Sequence, residues 1–143
     1  MECTSCGFVE YANSAPAVQA LVVRDGRVLL ARRAIDPGAG KWDLPGGFLD
    51  EGEDPLEGLR RELREETGLE VELGAFFGAR LDPYEHRSVL GLTWLATPLG
   101  GEPRPADDVA SLEWFDPVDL PAPGEFAFAS HPPLLAAWRD QQA

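Results

Sequence analysis

The sequence predicts an α/β layered fold with a mixed central β-sheet. Three observations carry this reading. Two nearly continuous apolar runs, 18–23 and 28–31, flank an Asp25-Gly26 turn. A charge-rich segment, 54–68, has the caps and leucine spacing of a single helix. Strand-like segments and a C-terminal helical pattern follow, so strands and helices are interspersed along the chain.

The first pair of strands rests on turn chemistry. Asp-Gly between β-branched runs is a strong hairpin signal. Because both runs are apolar almost throughout, they are expected to be buried on both faces. Residues 34–46 are rich in Gly and Pro and are expected to form a loop with little regular structure. In the helix, Asp54 is the expected N-cap, Pro55 suits the first helical position, and Glu57 completes a capping-box pattern. Leu56, Leu59 and Leu63 make one apolar stripe, and Gly68 is the C-terminal stop. Segments 70–80 and 87–97 follow as strands, joined by a turn at Asp82-Pro83-Tyr84-Glu85. Segment 99–107 is a Gly/Pro loop and 112–115 a short strand with Trp114 inward. A final helix over 132–141 is suggested by Leu134, Leu135 and Trp138. Trp94, Trp114 and Trp138 are expected in the core.

The chain has 143 residues, which suits one domain with one sizeable core. Apolar residues make up 44 %, so the chain belongs with globular sequences rather than disordered ones. No apolar run approaches the roughly 18–20 residues of a membrane span. The N-terminus lacks a signal-peptide pattern, and a cytoplasmic location is expected. The net charge of −13 repels nucleic-acid polymers and anionic membranes. It also repels phosphate substrates, unless a metal inverts the local field. Lys41 is the only lysine, and the arginines suit bidentate phosphate recognition.

Cys3 and Cys6 stand in Cys-x-x-Cys-Gly, half of a zinc knuckle. A closed structural site needs four ligands, and His86 and His131 are distant in sequence. Three readings stay open: a cut-down zinc ribbon, zinc shared between two chains, and a redox pair. No βαβ context follows to support the last.

The chemistry lies in the charged helix. Residues three and four apart share a helix face, so Glu62 lies beside Glu65 and Glu66. Three carboxylates within about one turn repel one another and cost helix stability. Their geometry suits Mg²⁺ or Mn²⁺, which take oxygen ligands and keep waters for substrate phosphates. Glu53 can fold back on the first turn, and Arg61 can pair with Glu53 or Glu65 and orient a ligand. Gly46-Gly47 permits close backbone approach, and a carbonyl there would add a further ligand. On charges alone, a solvated acidic face is the simpler explanation. The complete pattern decides otherwise.

That pattern is Gly47, five residues, Glu53, seven residues, Arg61-Glu62-Leu63, one residue, Glu65-Glu66, one residue, Gly68-Leu69. It resembles the Nudix box of the Nudix hydrolase superfamily at every defined position. Tyr11-x-Asn13-x-x-Pro16-x-Val18, Leu29-Leu30-Ala31-Arg32-Arg33 and the run from Gly40 to Gly47 extend the likeness. They resemble the subgroup with a Cys-x-x-Cys-Gly zinc ribbon, the neighbourhood of the NADH pyrophosphatases. Only one knuckle is present, which puts bound zinc in doubt. No Ser-Gln-Pro-Trp-Pro-Phe-Pro-x-Ser-like stretch follows the box, which weakens an NADH reading.

The resemblance implies an α/β/α sandwich, with residues 1–16 a remnant of the ribbon-like segment and 17–143 the Nudix domain. It implies Glu62, Glu65 and Glu66 as metal ligands beside the Gly46 carbonyl, with Glu53 and Arg61 as the orienting pair. The general base would be a box glutamate or a downstream acid, Asp108 or Glu113. Both downstream acids also have plain readings, as a turn residue and an outward strand residue. Arg32, Arg33 and Trp42 are the candidate substrate contacts: one arginine on phosphate with the other in solvent, and Trp42 either under a base or as a buried loop anchor. His86 reads as a solvated turn residue. The implied reaction is Mg²⁺-dependent cleavage of a nucleoside diphosphate linked to another group, with ADP-ribose or another ADP-linked compound the leading substrate. A nucleoside triphosphate, including oxidised dGTP, is the alternative. A non-catalytic nucleotide-binding regulator is the reading from another class, disfavoured by the intact glutamates. Family members are often dimers, so a homodimer is a further expectation.

Overall fold

The computed structural model describes residues 1–142. Strands β1 (Ala15–Arg24) and β2 (Arg27–Arg33) form the expected hairpin, with Val23 opposite Val28 and Arg24 opposite Arg27. Asp25 and Gly26 both have positive φ, 54° and 76°, as a tight two-residue turn between right-twisted strands requires. Short strands β3 (Trp42–Asp43) and β4 (Gly46–Phe48) come next, then helix α1 (Pro55–Thr67). Long strands β5 (Val71–Tyr84) and β6 (Arg87–Pro98), strand β7 (Val109–Phe115), two single-turn 3₁₀ helices and helix α2 (His131–Gln141) complete the chain.

The sheet is mixed, as predicted. Its order is β3-β2-β1-β6-β5, with β4 also on β1 and β7 also on β2. β1 runs parallel to β6 over Ala15–Val22 and antiparallel to β4 over Ala17–Gln19. Alternate residues of β1 and β2 feed two cores, because successive strand side chains point to opposite faces. Val18, Ala20, Val22 and Leu29 pack with Leu59 and Leu63 of α1. Leu21, Val28 and Leu30 pack with Leu134, Leu135 and Trp138 of α2. A helix on each face explains why these strands are apolar without alternation, and the result is an α/β/α sandwich.

Four local expectations are corrected. The segment 34–46 is not wholly irregular: Trp42–Asp43 pairs with β2, and Gly46 opens β4 against β1. The turn between β5 and β6 lies at Glu85-His86, with Glu85 at φ 53°, so Asp82 and Pro83 belong to the strand. Proline is tolerated there because β5 is an edge strand with one free side. Leu56 is 37 % exposed and lies off the stripe, whereas Leu59 and Leu63 are fully buried. Asp54 does cap α1, accepting from the Leu56 and Glu57 amides. Glu57, however, turns outward to Arg60 at 2.8 Å and does not close a capping box. Gly68 ends the helix in the left-handed conformation, φ 73°.

Residues 1–13 lie outside the sheet and are exposed. The Cys3 amide donates to Phe8 O, and the Gly7 amide donates to Cys3 O. Both cysteines are free thiols on the surface. Backbone amides of Cys6 and Ser5 point at the Cys3 sulfur and lower its pKa. Among the described residues, no helix is long and apolar enough to cross a membrane.

Candidate active site

One open cleft of about 350 Å³ lies between the α1 side of β4 and the start of α2. Glu62 and Glu66 line it from α1, Gly46 and Gly47 from β4, and Arg33 and Asp43 from β2 and β3. The position of α1 follows from its buried stripe, since Leu59 and Leu63 fix its rotation and aim the acidic face at β4.

The contact between α1 and β4 is very close. A Cβ on Gly47 would stand 2.5 Å from the Glu62 carboxyl carbon. Gly46 sits at φ 155°, and a Cβ there would stand 2.1 Å from Val18 O. Side chains are therefore excluded at both positions. The Gly46 amide donates to Glu66 Oε1 at 2.8 Å, locking that carboxylate across the gap.

Arg61 is the hub of the acidic face. It holds Glu53 in bidentate fashion, Nε to Oε2 at 2.7 Å and Nη2 to Oε1 at 2.9 Å. Its Nη1 donates to Glu62 at 2.9 Å and to Glu65 at 3.1 Å, and its Nη2 also reaches Phe48 O at 3.3 Å. Glu53 in turn accepts from the Asp50 amide at 3.0 Å. Hydrogen bonds from Arg61, then from the Asp50 amide, lower the Glu53 pKa to about 2. The same pairing with Glu53 raises the Arg61 pKa.

The two cleft carboxylates behave in the opposite way. Burial raises the Glu66 pKa to about 8, with Asp43 and Glu62 adding repulsion and the Gly46 amide opposing them. Burial also raises the Glu62 pKa, outweighing the hydrogen bond from Arg61. Asp43 is raised to about 6 by burial despite its 2.8 Å ion pair with Arg33. Buried acids with too little positive charge nearby form a donor set suited to a hard divalent cation. Glu62 and Glu66 fit that role directly. Glu65 is exposed, pairs with Arg61, and does not line the cleft. Among the described residues, no three acidic, histidine or cysteine side chains yet converge on one point.

The remaining candidates separate cleanly. Arg33 lines the cleft, held by Pro37 O at 2.6 Å and by Asp43. Arg32 lies outside it, with its guanidinium 4.4 Å from the Trp42 ring centroid. Trp42 is only 6 % exposed, packs edge-on against Phe115 at 5.1 Å and belongs to the α2 core. It is a buried anchor, and the expectation of a platform under a base is corrected: the ring has no free face. Asp108 is exposed and lines the cleft, whereas Glu113 is an exposed residue of β7 away from it.

Several residues in the cleft or supporting it were not anticipated from the sequence. Gly58, inside α1, leaves room for Leu49 and Glu53: a Cβ there would stand 2.5 Å and 2.8 Å from them. A glycine in a helix interior was the available signal, since it costs about 1 kcal/mol relative to Ala. His131 is buried with its pKa lowered to about 4 by desolvation. Its Nε2 meets Gln19 Oε1 at 3.0 Å, and its Nδ1 accepts weakly from the Leu44 amide at 3.4 Å. Gln19 Nε2 donates to the buried Thr93 hydroxyl at 2.8 Å. Nothing local in the sequence marks this network.

Fold and site together define a sandwich domain that presents a buried acidic helix face to a cleft across a glycine pair. A family model, the NUDIX domain, matches residues 13–137. An ADP-ribose pyrophosphatase of Methanocaldococcus jannaschii is 36 % identical over 115 residues, covering 78 % of this chain and 67 % of that protein. A protein of Pseudomonas aeruginosa named NAD-capped RNA hydrolase NudC is 34 % identical over 134 residues, 92 % of this chain and 47 % of that protein. The chain thus spans less than half of the Pseudomonas relative. Among solved structures, a Nudix hydrolase of Nitrosomonas europaea superposes with a TM-score of 0.86 at 26 % identity, covering 99 % of this chain and 78 % of that one. The chain belongs to the Nudix family of hydrolases.

Proposed function

We propose that this domain hydrolyses the diphosphate of a nucleoside diphosphate linked to another group, using Mg²⁺ or Mn²⁺, with ADP-ribose or a similar ADP-linked compound as substrate. The observation that carries the reading is the meeting of Glu62, Glu66, the Gly46-Gly47 pair and Arg33 in one cleft. The ADP-ribose pyrophosphatase relative supports the choice of substrate. The net charge of −13 works against an RNA polymer in the cleft and favours a small nucleotide.

Glu62 and Glu66, with the Gly46 carbonyl, would hold the metal in the cleft, and Glu65 would join them by giving up its contact with Arg61. When bound, the metal neutralises phosphate charge and acidifies a water. The chain's own groups do the rest. Arg61, clamped on Glu53, sets the orientation of Glu62. The Gly46 amide sets that of Glu66. Arg33 is placed to receive a phosphate oxygen, in exchange for part of its pairing with Asp43. A cleft carboxylate, Glu62 or Glu66, takes the proton from the attacking water, while Asp108, which also lines the cleft, is the alternative.

A nucleotide panel assayed with Mg²⁺, for wild type and Glu66→Gln, tests this. Wild type should release AMP and ribose 5-phosphate from ADP-ribose, and Glu66→Gln should lose nearly all turnover. Full turnover in the variant would refute the role of Glu66. Metal binding without turnover of any nucleotide would point to a regulator.

A further inference from the structure

Gln19 breaks the pattern of its strand. Ala17, Leu21 and Val23 share its face of β1, and Leu21 and Val23 pack in the α2 core. A polar side chain on such a face costs stability unless its donors and acceptors are matched. Here both ends of the amide are matched. Nε2 donates to the hydroxyl of the buried Thr93 at 2.8 Å, and Oε1 lies 3.0 Å from His131 Nε2. The histidine's tautomer follows from its other nitrogen. The Leu44 amide can only donate, so Nδ1 accepts, and Nε2 carries the hydrogen donated to Gln19.

His131 is itself held. It is buried at the first position of α2. The residue before it, Ser130, donates from both its amide and its hydroxyl to Asp82, a buried carboxylate on β5. The start of α2 is thus tied to three strands: to β5 through Asp82, to β1 through Gln19, and through Gln19 to Thr93 on β6.

These ties converge on Gly46. Gln19 is the strand partner of Gly46, and a Cβ on Gly46 would stand 2.6 Å from Gln19 Cα. On the other side His131 receives the amide of Leu44, two residues before Gly46. Gly46 in turn donates its amide to Glu66 at 2.8 Å. Its own strand, β4, has only three residues. We propose that His131 and Gln19 are positioning residues for the metal site: they grip the segment from Leu44 to Gly46 from both sides, so that the Gly46 backbone meets Glu66. A matched polar pair fixes a backbone by direction as well as by contact, which an apolar pair filling the same space would not do. Departures from apolar patterning are expected where a site requires them. The inference rests on the reading of Gly46 and Glu66 as metal-site groups and names what holds them in register.

Amide hydrogen exchange of the metal-free protein reads this grip directly. Gln19→Met keeps the side-chain length and loses both hydrogen bonds, and His131→Ala loses both of the histidine's. In each, the Gly46 amide should lose about tenfold of its protection, the scale of one hydrogen bond, while the Leu63 amide inside α1 keeps its own. His131→Gln, whose amide can still donate to Gln19, should recover part of the loss. Mn²⁺, followed by disappearance of its free EPR signal, should bind both Gln19→Met and His131→Ala about 10- to 100-fold more weakly than wild type. The double variant should bind it no more weakly than the worse single one, because both residues act on one segment. Unchanged Gly46 exchange in both variants would overturn the proposal. Equal losses of protection at Gly46 and Leu63 would also overturn it, as the mark of a merely structural role. A raised KM for ADP-ribose with Gly46 exchange and Mn²⁺ affinity unchanged would place the two side chains on the substrate and overturn it as well. Wild-type Mn²⁺ affinity in Glu66→Gln, beside the expected loss of Gly46 protection, would instead strike the metal assignment and leave the positioning of Gly46 standing.

Discussion

Arg61 grips Glu53 through two parallel hydrogen bonds of 2.7 and 2.9 Å, and the same guanidinium reaches Glu62 and Glu65. One cation thus arranges three carboxylates drawn from the loop before α1 and from two turns of the helix. Arg61→Lys keeps the charge and loses the fork. Turnover should fall by about 10- to 100-fold, as is common when a group that orients metal ligands is removed. Mg²⁺ affinity should weaken alongside it, measured by activity against metal concentration.

The Glu53–Arg61 pair also predicts a pH effect. The folded Glu53 pKa is depressed to about 2 from an ordinary value of 4.5. Its contribution to stability is therefore complete above 4.5 and is lost as pH falls through about 2. Acid-unfolding curves of wild type and Glu53→Gln should differ at pH 6 and converge near pH 2.

His131 acts over a different window. Its folded pKa is depressed to about 4 from 6.5, so below 6.5 the unfolded chain takes up a proton that the folded chain refuses. Stability is lost as pH falls from about 6.5 to about 4, by up to about 3 kcal/mol. Asp43, raised to about 6, works in the opposite sense, since its folded form holds a proton that the unfolded form releases. The difference between urea-unfolding free energies of wild type and His131→Gln isolates the histidine, and it should shrink as pH falls from 7 to 4.

Gly58→Ala sets two effects against each other. Helix propensity alone would stabilise by about 1 kcal/mol. The new Cβ, however, would stand 2.5 Å from Leu49 Cδ2 and 2.8 Å from Glu53 Oε1. Overpacking of this kind costs typically 1–3 kcal/mol, so the clash should win. The expected result is a lower melting temperature and an activity loss larger than Gly40→Ala causes, because displacing Glu53 disturbs Arg61. A stabilised, fully active Gly58→Ala would contradict this account.

Metal addition should stabilise the fold by linkage. Mg²⁺ at 100 times its dissociation constant should add about 2.7 kcal/mol. Thermal unfolding with Mg²⁺ and with EDTA should show this difference in wild type and little of it in Glu66→Gln. Turnover should vanish with EDTA and return with Mg²⁺.

Much of this architecture is local, and local features are legible in a sequence. The hairpin at Asp25-Gly26 depends on two residues that tolerate positive φ. Helix α1 is marked by Asp54, Pro55 and Gly68, with Leu59 and Leu63 turning it toward the core. The meeting of Glu62 and Glu66 on one face follows from helical periodicity alone.

What the sequence by itself determined is therefore the alternation of strands and helices, the acidic helix and its resemblance to the Nudix box. The tertiary structure alone decided which groups share the cleft. Trp42 is a plausible base platform until the α2 core closes over it. Arg32 and Arg33 are equivalent neighbours until strand alternation sends one onto Trp42 and the other into the cleft. Gln19 and His131 lie 112 residues apart in sequence, and Asp82 and Ser130 lie 48 apart. Periodicity and capping act over a few residues, so they specify a helix and the face it presents. Which side chains oppose that face depends on long-range sheet pairing and on where α2 docks, and these become visible only once the chain is folded.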